Sequence, residues 1–391
     1  MTAAGALDER EKAEYMSFGP VVECDPDAPH EVVPTLRSHC ASGVTTFSEG
    51  MVPLTSRLAQ GIHLPFHDRD TVNLLTDKLA QRRRLAERRV DAVWSELVTS
   101  RTAALALVEE RGHPVVVKPV RSQSSRDTYY VENAAQFPDG LEPSGERPFV
   151  VEEYLSGRDE GEYGDYVSVE TLVVDGRAFT LGITGKFPLS SPFREHGQFL
   201  PARLPGNESS EVAHLAADAA QALGIQMGLV HTEIKLTARG PRIIEVNGRL
   251  GGFLGELYQR ASGQNLLALG IAVACGQPVD PPPPAAPETV EFQYSNLPPV
   301  TGGVLRRVGG ADIARKEPGI VDYTVRLPEG EKLPTDVMTL FIDLLRGSAP
   351  DHASMLKTID RALAHLCFSY ERPDGTTYTW QSARGDQCTA G

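Results

Sequence analysis

The chain has 391 residues, 41% of them hydrophobic, and a formal net charge of −14. That length can bury at least one large core and suits two or three lobes. The acidic balance argues against nucleic acid or anionic membrane as a partner, since both need basic surface, and no stretch nears the roughly 20 apolar residues that span a bilayer.

The first residues, MTAAGALDEREKAEY, lack an apolar core with basic flanks, so no secretory signal is expected in them. VVECDP reads as a short strand ending in acidic turn residues, and GVTTF as another. Apolar residues at Val72, Leu75, Leu79 and Leu85 repeat with helical spacing from Asp68 to Arg89. HPVVVKPV is a β-branched run stopped by proline, a strand from about Pro114 to Lys118. FVVEEYL is a second strand, leading into an acidic loop from Ser156 to Asp165. YVSVETLVVDG and GRAFTLGITGKF read as a hairpin, followed by a helix from Glu211 to Leu223 that Gly224 ends. QPVDPPPPAAPETV, 277–290, is a proline-rich linker that cannot continue a helix. The expected units are 1–67, a core of 68–276 in two lobes (68–150 and 151–276), the linker, a C-terminal domain of 291–371 and a flexible tail of 372–391. The five scattered cysteines, odd in number and without metal-ligand spacing, read as reduced thiols and point to the cytoplasm.

The most informative segment is LVHTEIKLTARGPRIIEVNGRLGG. Its halves read as strands joined by TARGP. With the turn centred on Arg239, Glu233 lies opposite Glu245 and His231 opposite Asn247, and alternation puts all four on one face. Opposed carboxylates repel unless a cation lies between them, and two carboxylates plus an amide oxygen suit magnesium. Ile234, Ile244 and Val246 are expected on the covered face. Arg249, two residues beyond Asn247, projects toward the site, where a guanidinium can hold a carboxylate or a developing acyl-phosphate oxygen. Gly248, Gly251 and Gly252 let the backbone turn tightly there. The plain alternatives are a solvated hairpin face and an Arg249–Glu245 salt bridge.

Glu233, then Glu245-Val-Asn247-Gly-Arg249 and Gly251-Gly252, resembles the metal-binding end of the ATP-grasp superfamily of carboxylate–amine ligases. The HTEIK…EVNGRLGG wording and the proline-linked C-terminal unit are most similar to L-amino-acid (dipeptide) ligases. The resemblance implies an α/β fold of α+β lobes, with a short N-terminal βα lobe, a two-lobed core that clamps ATP, and a small C-terminal domain. It implies that Glu233 and Glu245 hold one magnesium ion and that Glu245 and Asn247 hold a second, with manganese as a substitute. Arg249 would stabilise the reacting carboxyl group, beside His231.

No GxxxxGK[ST] occurs, so no P-loop is present, and the lysines gain weight because there are only 8 against 30 Arg. By resemblance, Lys78 in TDKLAQRRRL, Lys118 in VVVKPV and Lys186 in TGKFPL contact phosphates. Ser124 and Ser125 offer amides and hydroxyls to phosphate where the family carries a glycine-rich loop. Glu152, Glu153, Tyr154 and Leu155 form a hinge against adenine, and Glu160 or Glu162 binds ribose. Glu195 and His196 in FREHGQFLPA line the acceptor pocket, binding an ammonium or moving a proton. The implied activity is ADP-forming ligation of a carboxylate to an amine through an acyl phosphate, with amino-acid substrates in specialised or antibiotic metabolism. The implied partners are two small molecules and, as in many such families, a second copy in a homodimer. A biotin-carboxylase-like or nucleotide-biosynthesis enzyme and a non-catalytic ATP-binding module remain as alternatives.

Overall fold

A computed structural model describes residues 2–3, 9–335 and 337–385. Strands β1 (Thr2–Ala3) and β2 (Glu23–Cys24) form a short parallel pair. Strands β3 (Ser95–Val98), β4 (Val115–Pro119), β5 (Tyr129–Val131) and β6 (Phe149–Glu153) make a four-stranded antiparallel sheet in the order β3-β6-β4-β5. The strands that follow are β7 (Tyr166–Val174), β8 (Arg177–Lys186), β9 (Gly197–Leu200), β10 (Gly228–Thr237), β11 (Gly240–Asn247) and β12 (Val290–Tyr294). After them come β13 (Gly303–Gly309), β14 (Ile320–Val325), β15 (Lys332–Leu333), β16 (Asp343–Ala349), β17 (Cys367–Glu371) and β18 (Thr377–Gln381). An eight-stranded sheet runs β11-β10-β7-β8-β9-β12-β16-β14, and a last sheet runs β15-β13-β17-β18.

The main sheet is amphipathic by alternation. Val230, Ile234 and Leu236 of β10 and Val167 and Val169 of β7 pack against the helix Gly206–Ala222, through Val212, Ala216 and Ala219. That helix ends as expected, with Gly224 at φ 77°. On the opposite face Leu172, Leu181 and Leu200 lie with Leu254, Leu257 and Leu266 of the helices Leu254–Ser262 and Leu266–Ala274. The same parity that puts Leu229 on that face carries His231, Glu233 and Lys235 along it into a polar cleft.

Several expectations change. The Asp68–Arg89 periodicity resolves into two helices, Arg69–Thr76 and Lys78–Glu87, because Asp77 leaves the helical conformation and its side chain caps the second by accepting from the Ala80 amide at 2.9 Å. GVTTF is not a strand. It passes so close to the end of Leu266–Ala274 that a Cβ on Gly43 would collide with the Ala274 carbonyl, and no neighbouring strand pairs with it. The segment after the proline-rich linker does not stand apart, since β12, β14 and β16 extend the main sheet through the β9–β12 ladder. Residues 377–381, expected in a flexible tail, form β18, where Trp380 stacks on Phe368 at 5.5 Å. Residues 386–391 of that segment lie outside the described residues.

Candidate active site

The hairpin β10–β11 has the expected pairs, Glu233 opposite Glu245 and His231 opposite Asn247. The turn, however, closes at Thr237 and Gly240, half a residue off the expected centre, and a bulge between Glu233 and Ile234 restores the pairing. Ile244 is the extra residue. It lines the cleft instead of the core, and Ile243 takes the buried place. The bulge also turns the Ile243 and Ile244 carbonyls toward Arg82, whose guanidinium donates to both (2.6 and 2.8 Å).

The cleft encloses about 620 Å³ between the four-stranded sheet and the main sheet. Its acidic wall holds Glu233, Glu245 and Asn247, with Arg249 beside them. His231 donates from Nδ1 to Glu170 (2.5 Å), and its Nε2 lies 3.3 Å from Glu233. Burial opposes charge on the imidazole, but the two carboxylates prevail and push its pKa up to about 9. Burial likewise disfavours the Glu233 carboxylate, yet His231, Lys186 and Arg249 bring it down to about 2. Gly251 is fixed by this arrangement, because a Cβ there would collide with the His231 ring.

Glu245 is held by Lys78 at 2.8 Å, and Lys78 also donates to the Ser122 carbonyl (2.7 Å). Arg249 does not pair with Glu245; it donates to Glu49 at 3.0 Å and to the Leu250 carbonyl at 3.1 Å. With its nitrogen turned toward Glu49, the Asn247 amide donates to that carboxylate at 2.8 and 3.2 Å. Glu49 was invisible to sequence reasoning. It precedes the helix Val52–Ile62 in the N-terminal segment, nearly 200 residues from the hairpin, and only folding brings it there. Burial first, and then Glu245, pushes its pKa up to about 7 against the pull of Arg249 and Lys78.

The opposite wall is cationic. Lys118, buried at the end of β4, donates to Glu152 at 2.6 Å, and Arg82 grips the same carboxylate at 3.0 and 3.1 Å. Burial opposes ionisation of Glu152, but these two cations hold it at about 2. Its side chain is therefore committed to them. Glu153, Tyr154 and Leu155, just past it, line the cleft as β6 ends. Ser124 and Ser125 line it too, both with positive φ (56° and 53°), and the Thr339 amide donates to the Ser124 carbonyl at 2.9 Å. Lys186 donates to Gln198 at 3.2 Å and lies 3.7 Å from Glu195, and all three line the cleft.

Three residues expected at the site lie elsewhere. Glu162 is exposed and accepts from Arg384 at 2.7 Å, away from the cleft, and Glu160 is engaged by Arg158 and Arg203. His196 is buried with both ring nitrogens engaged, by Ser190 (2.6 Å) and the Ser295 carbonyl (3.1 Å), and it stacks on Tyr294. Burial pushes its pKa down to about 4, so it is neutral and turned away from solvent.

Among the described residues no three His, Cys, Asp or Glu side chains gather around one point in metal-binding fashion, and no helix is long and apolar enough to cross a membrane.

Residues 111–256 match the ATP-grasp domain family. Alanine–anticapsin ligase of Bacillus subtilis (strain 168) is 26% identical over 275 residues, covering 64% of this chain and 58% of that protein. Carnosine synthase 1 of Gallus gallus is 31% identical over 121 residues, covering 30% of this chain and 13% of that protein. The chain thus spans little more than half of the first relative and a small part of the second. Among solved structures, an L-amino acid ligase from Bacillus licheniformis superposes with a TM-score of 0.74 at 21% identity, over 88% of this chain and 86% of that one. The chain carries an ATP-grasp domain and has the ATP-grasp fold.

Proposed function

We propose that the chain is an ATP-dependent ligase that activates a substrate carboxylate as an acyl phosphate and joins it to an amine, with amino acids as substrates. The observation that carries this reading is the charge division of one cleft. Glu233, Glu245 and Asn247 present oxygens beside Arg249 on one wall, while Lys118 and Lys78 supply cations for phosphates. The similarity to amino-acid ligases adds support.

The acidic wall fits a hard divalent cation. All its donors are oxygens, and Glu233 and Glu245, directly opposed across the hairpin, are each already compensated by a neighbouring cation. Two carboxylates and one amide leave room in the shell for phosphate oxygens. Magnesium held there, by Glu233 and Glu245 or by Glu245 and Asn247, would neutralise charge on the ATP phosphates.

The protein's own groups do the rest. Arg249 offers a planar fork to the substrate carboxylate and keeps it near the phosphate that it attacks. The carboxylate oxygen bonds to the γ-phosphorus and ADP leaves. The amine nitrogen then attacks the acyl carbon, phosphate departs and the amine gives up a proton. The serine loop, tied to the C-terminal segment by Asp127 N to Val337 O (2.8 Å) and Thr339 N to Ser124 O, covers the cleft and shields the acyl phosphate from water. His231, charged and held between Glu170 and Glu233, fixes Glu233 in place.

Phosphate release from ATP and magnesium, measured across amino acids singly and in pairs, tests the proposal. Release that requires a particular pair, yields an amide and falls at least about a hundredfold in Glu245→Gln is expected. ATP binding without turnover across the whole panel would instead indicate a nucleotide-binding module.

A further inference from the structure

Eight cationic or protonatable basic side chains line the cleft: Lys78, Arg82, Lys118, Lys186, His231, Lys235, Arg249 and Arg326. Seven have side-chain partners on the protein, six of them through a direct carboxylate contact of 3.3 Å or less and Lys186 through Gln198. Arg326 is the exception. Among the described residues its guanidinium makes no hydrogen bond or ion pair and lies only over the Phe253 ring, 4.8 Å from the centroid.

The position is nonetheless built. The Arg326 and Leu327 amides both donate to the Ile342 carbonyl, at 2.8 and 3.1 Å, which anchors the backbone just beyond β14. Phe341 packs against Phe253 at 5.8 Å, and Leu327 and Leu340 complete an apolar wall of the same cleft. Arg326 is exposed to the cleft, and a cation seated on an aromatic face with its donors open, beside an apolar wall, suits an organic anion with an apolar body.

The proposed reaction needs such a place. The donor's carboxylate is consumed in activation, so Arg249 meets a group that loses its charge. An amino-acid acceptor keeps its own carboxylate throughout, and that anion needs a cation of its own. We infer that Arg326, with Phe253, Phe341, Leu327 and Leu340, forms the acceptor subsite and binds the α-carboxylate of an amino acid with an apolar side chain. The inference rests on the ligase reading above.

The experiment uses the full chain with the amino-acid panel, each acceptor supplied both as the free acid and as its C-terminal amide. In Arg326→Met, kcat/KM for the free-acid acceptor should fall about ten- to a hundredfold, as expected for one lost charge-assisted contact. The loss should appear in acceptor KM, with the KM of ATP and of the donor unchanged. Arg326→Lys should recover part of it, and the amide acceptor should react equally with the native chain and with Arg326→Met. Equal use of free acid and amide by the native chain would overturn the assignment, as would a rise in KM confined to ATP or to the donor. Absence of amide product from every pair with the native chain would overturn the ligase reading and this subsite with it. That failure is distinct, because it is seen before any variant is made.

Discussion

Two ionic clusters line the cleft, and their charges are balanced differently. On the four-stranded sheet one carboxylate, Glu152, serves two buried cations, Arg82 and Lys118, and its pKa sits at about 2. On the hairpin side Glu49 and Glu245 crowd Lys78 and Arg249, and Glu49 is pushed up to about 7. The first cluster has a positive charge to spare and every polar group engaged. The second holds a carboxylate that ionises only with difficulty. A fold selected for stability alone would pair both sides evenly. The difference between the two walls is what the proposed division of the cleft, phosphate on one side and metal on the other, calls for.

The sharpest way to break this comparison is Glu152→Gln. Removing the one carboxylate leaves Arg82 and Lys118 buried without compensation, and unfolding by denaturant should show a loss of about 3–5 kcal/mol. A loss below about 1 kcal/mol would mean that the cluster is not the tightly closed unit its geometry indicates.

Next in size is the pH dependence set by Glu49. Its pKa is higher in the folded chain than in the unfolded one, where it lies near 4.5. The unfolded state therefore gives up its proton first as pH rises. The contribution of Glu49 is most favourable below about 4.5 and is lost as pH climbs through about 7, by about 1–3 kcal/mol. Glu49→Gln should flatten that window in melts taken from pH 4.5 to 7.5, and an unchanged profile would remove Glu49 from the account. His231 acts in the same direction at higher pH: its pKa is also raised on folding, so its contribution is full below about 6.5 and is lost as pH rises through about 9.

Glu245→Gln tests the second cluster from the side of function. It relieves repulsion on Glu49, and Lys78, though it loses a largely buried partner, keeps the Ser122 carbonyl and the nearby Glu49 carboxylate, so stability should change by less than about 1 kcal/mol while turnover collapses. A large destabilisation would make Glu245 a structural residue. The smallest effect is expected at Glu162, whose own side chain is exposed and whose partner Arg384 keeps Asp360. Glu162→Gln should move stability by less than about 0.5 kcal/mol and leave the KM for ATP unchanged.

The hairpin was legible because its chemistry is local. Strand alternation and one turn suffice to oppose Glu233 to Glu245, and even the misjudged turn centre was cancelled by the bulge at Ile244. Glu49 and Arg326 were not legible. Each reaches the cleft from a distant segment, and nothing in SEGM or TVRLPEG announces a ligand-facing side chain. Glu162 and His196 failed for a different reason: a loop gives no periodicity from which to assign faces, so Glu195 and His196 could not be told apart. The merging of the C-terminal strands into the main sheet was hidden as well. The proline-rich segment reads as a boundary in composition, while the β9–β12 ladder that crosses it depends on pairing between segments about 90 residues apart.

That uninterrupted ladder has a mechanical consequence. Eight strands bonded edge to edge behave as a plate, and shearing β9 from β12 would break several ladder bonds at once. The four-stranded sheet shares no strand with the plate. Its serine loop is latched to the far end of the plate by the backbone bonds at Val337 and Thr339. Each such bond is worth about 1 kcal/mol net, so the latch would part far more readily than the plate. Entry and exit of ligands would then be governed at the latch, some 90 residues of chain away from the hairpin proposed to hold the metal.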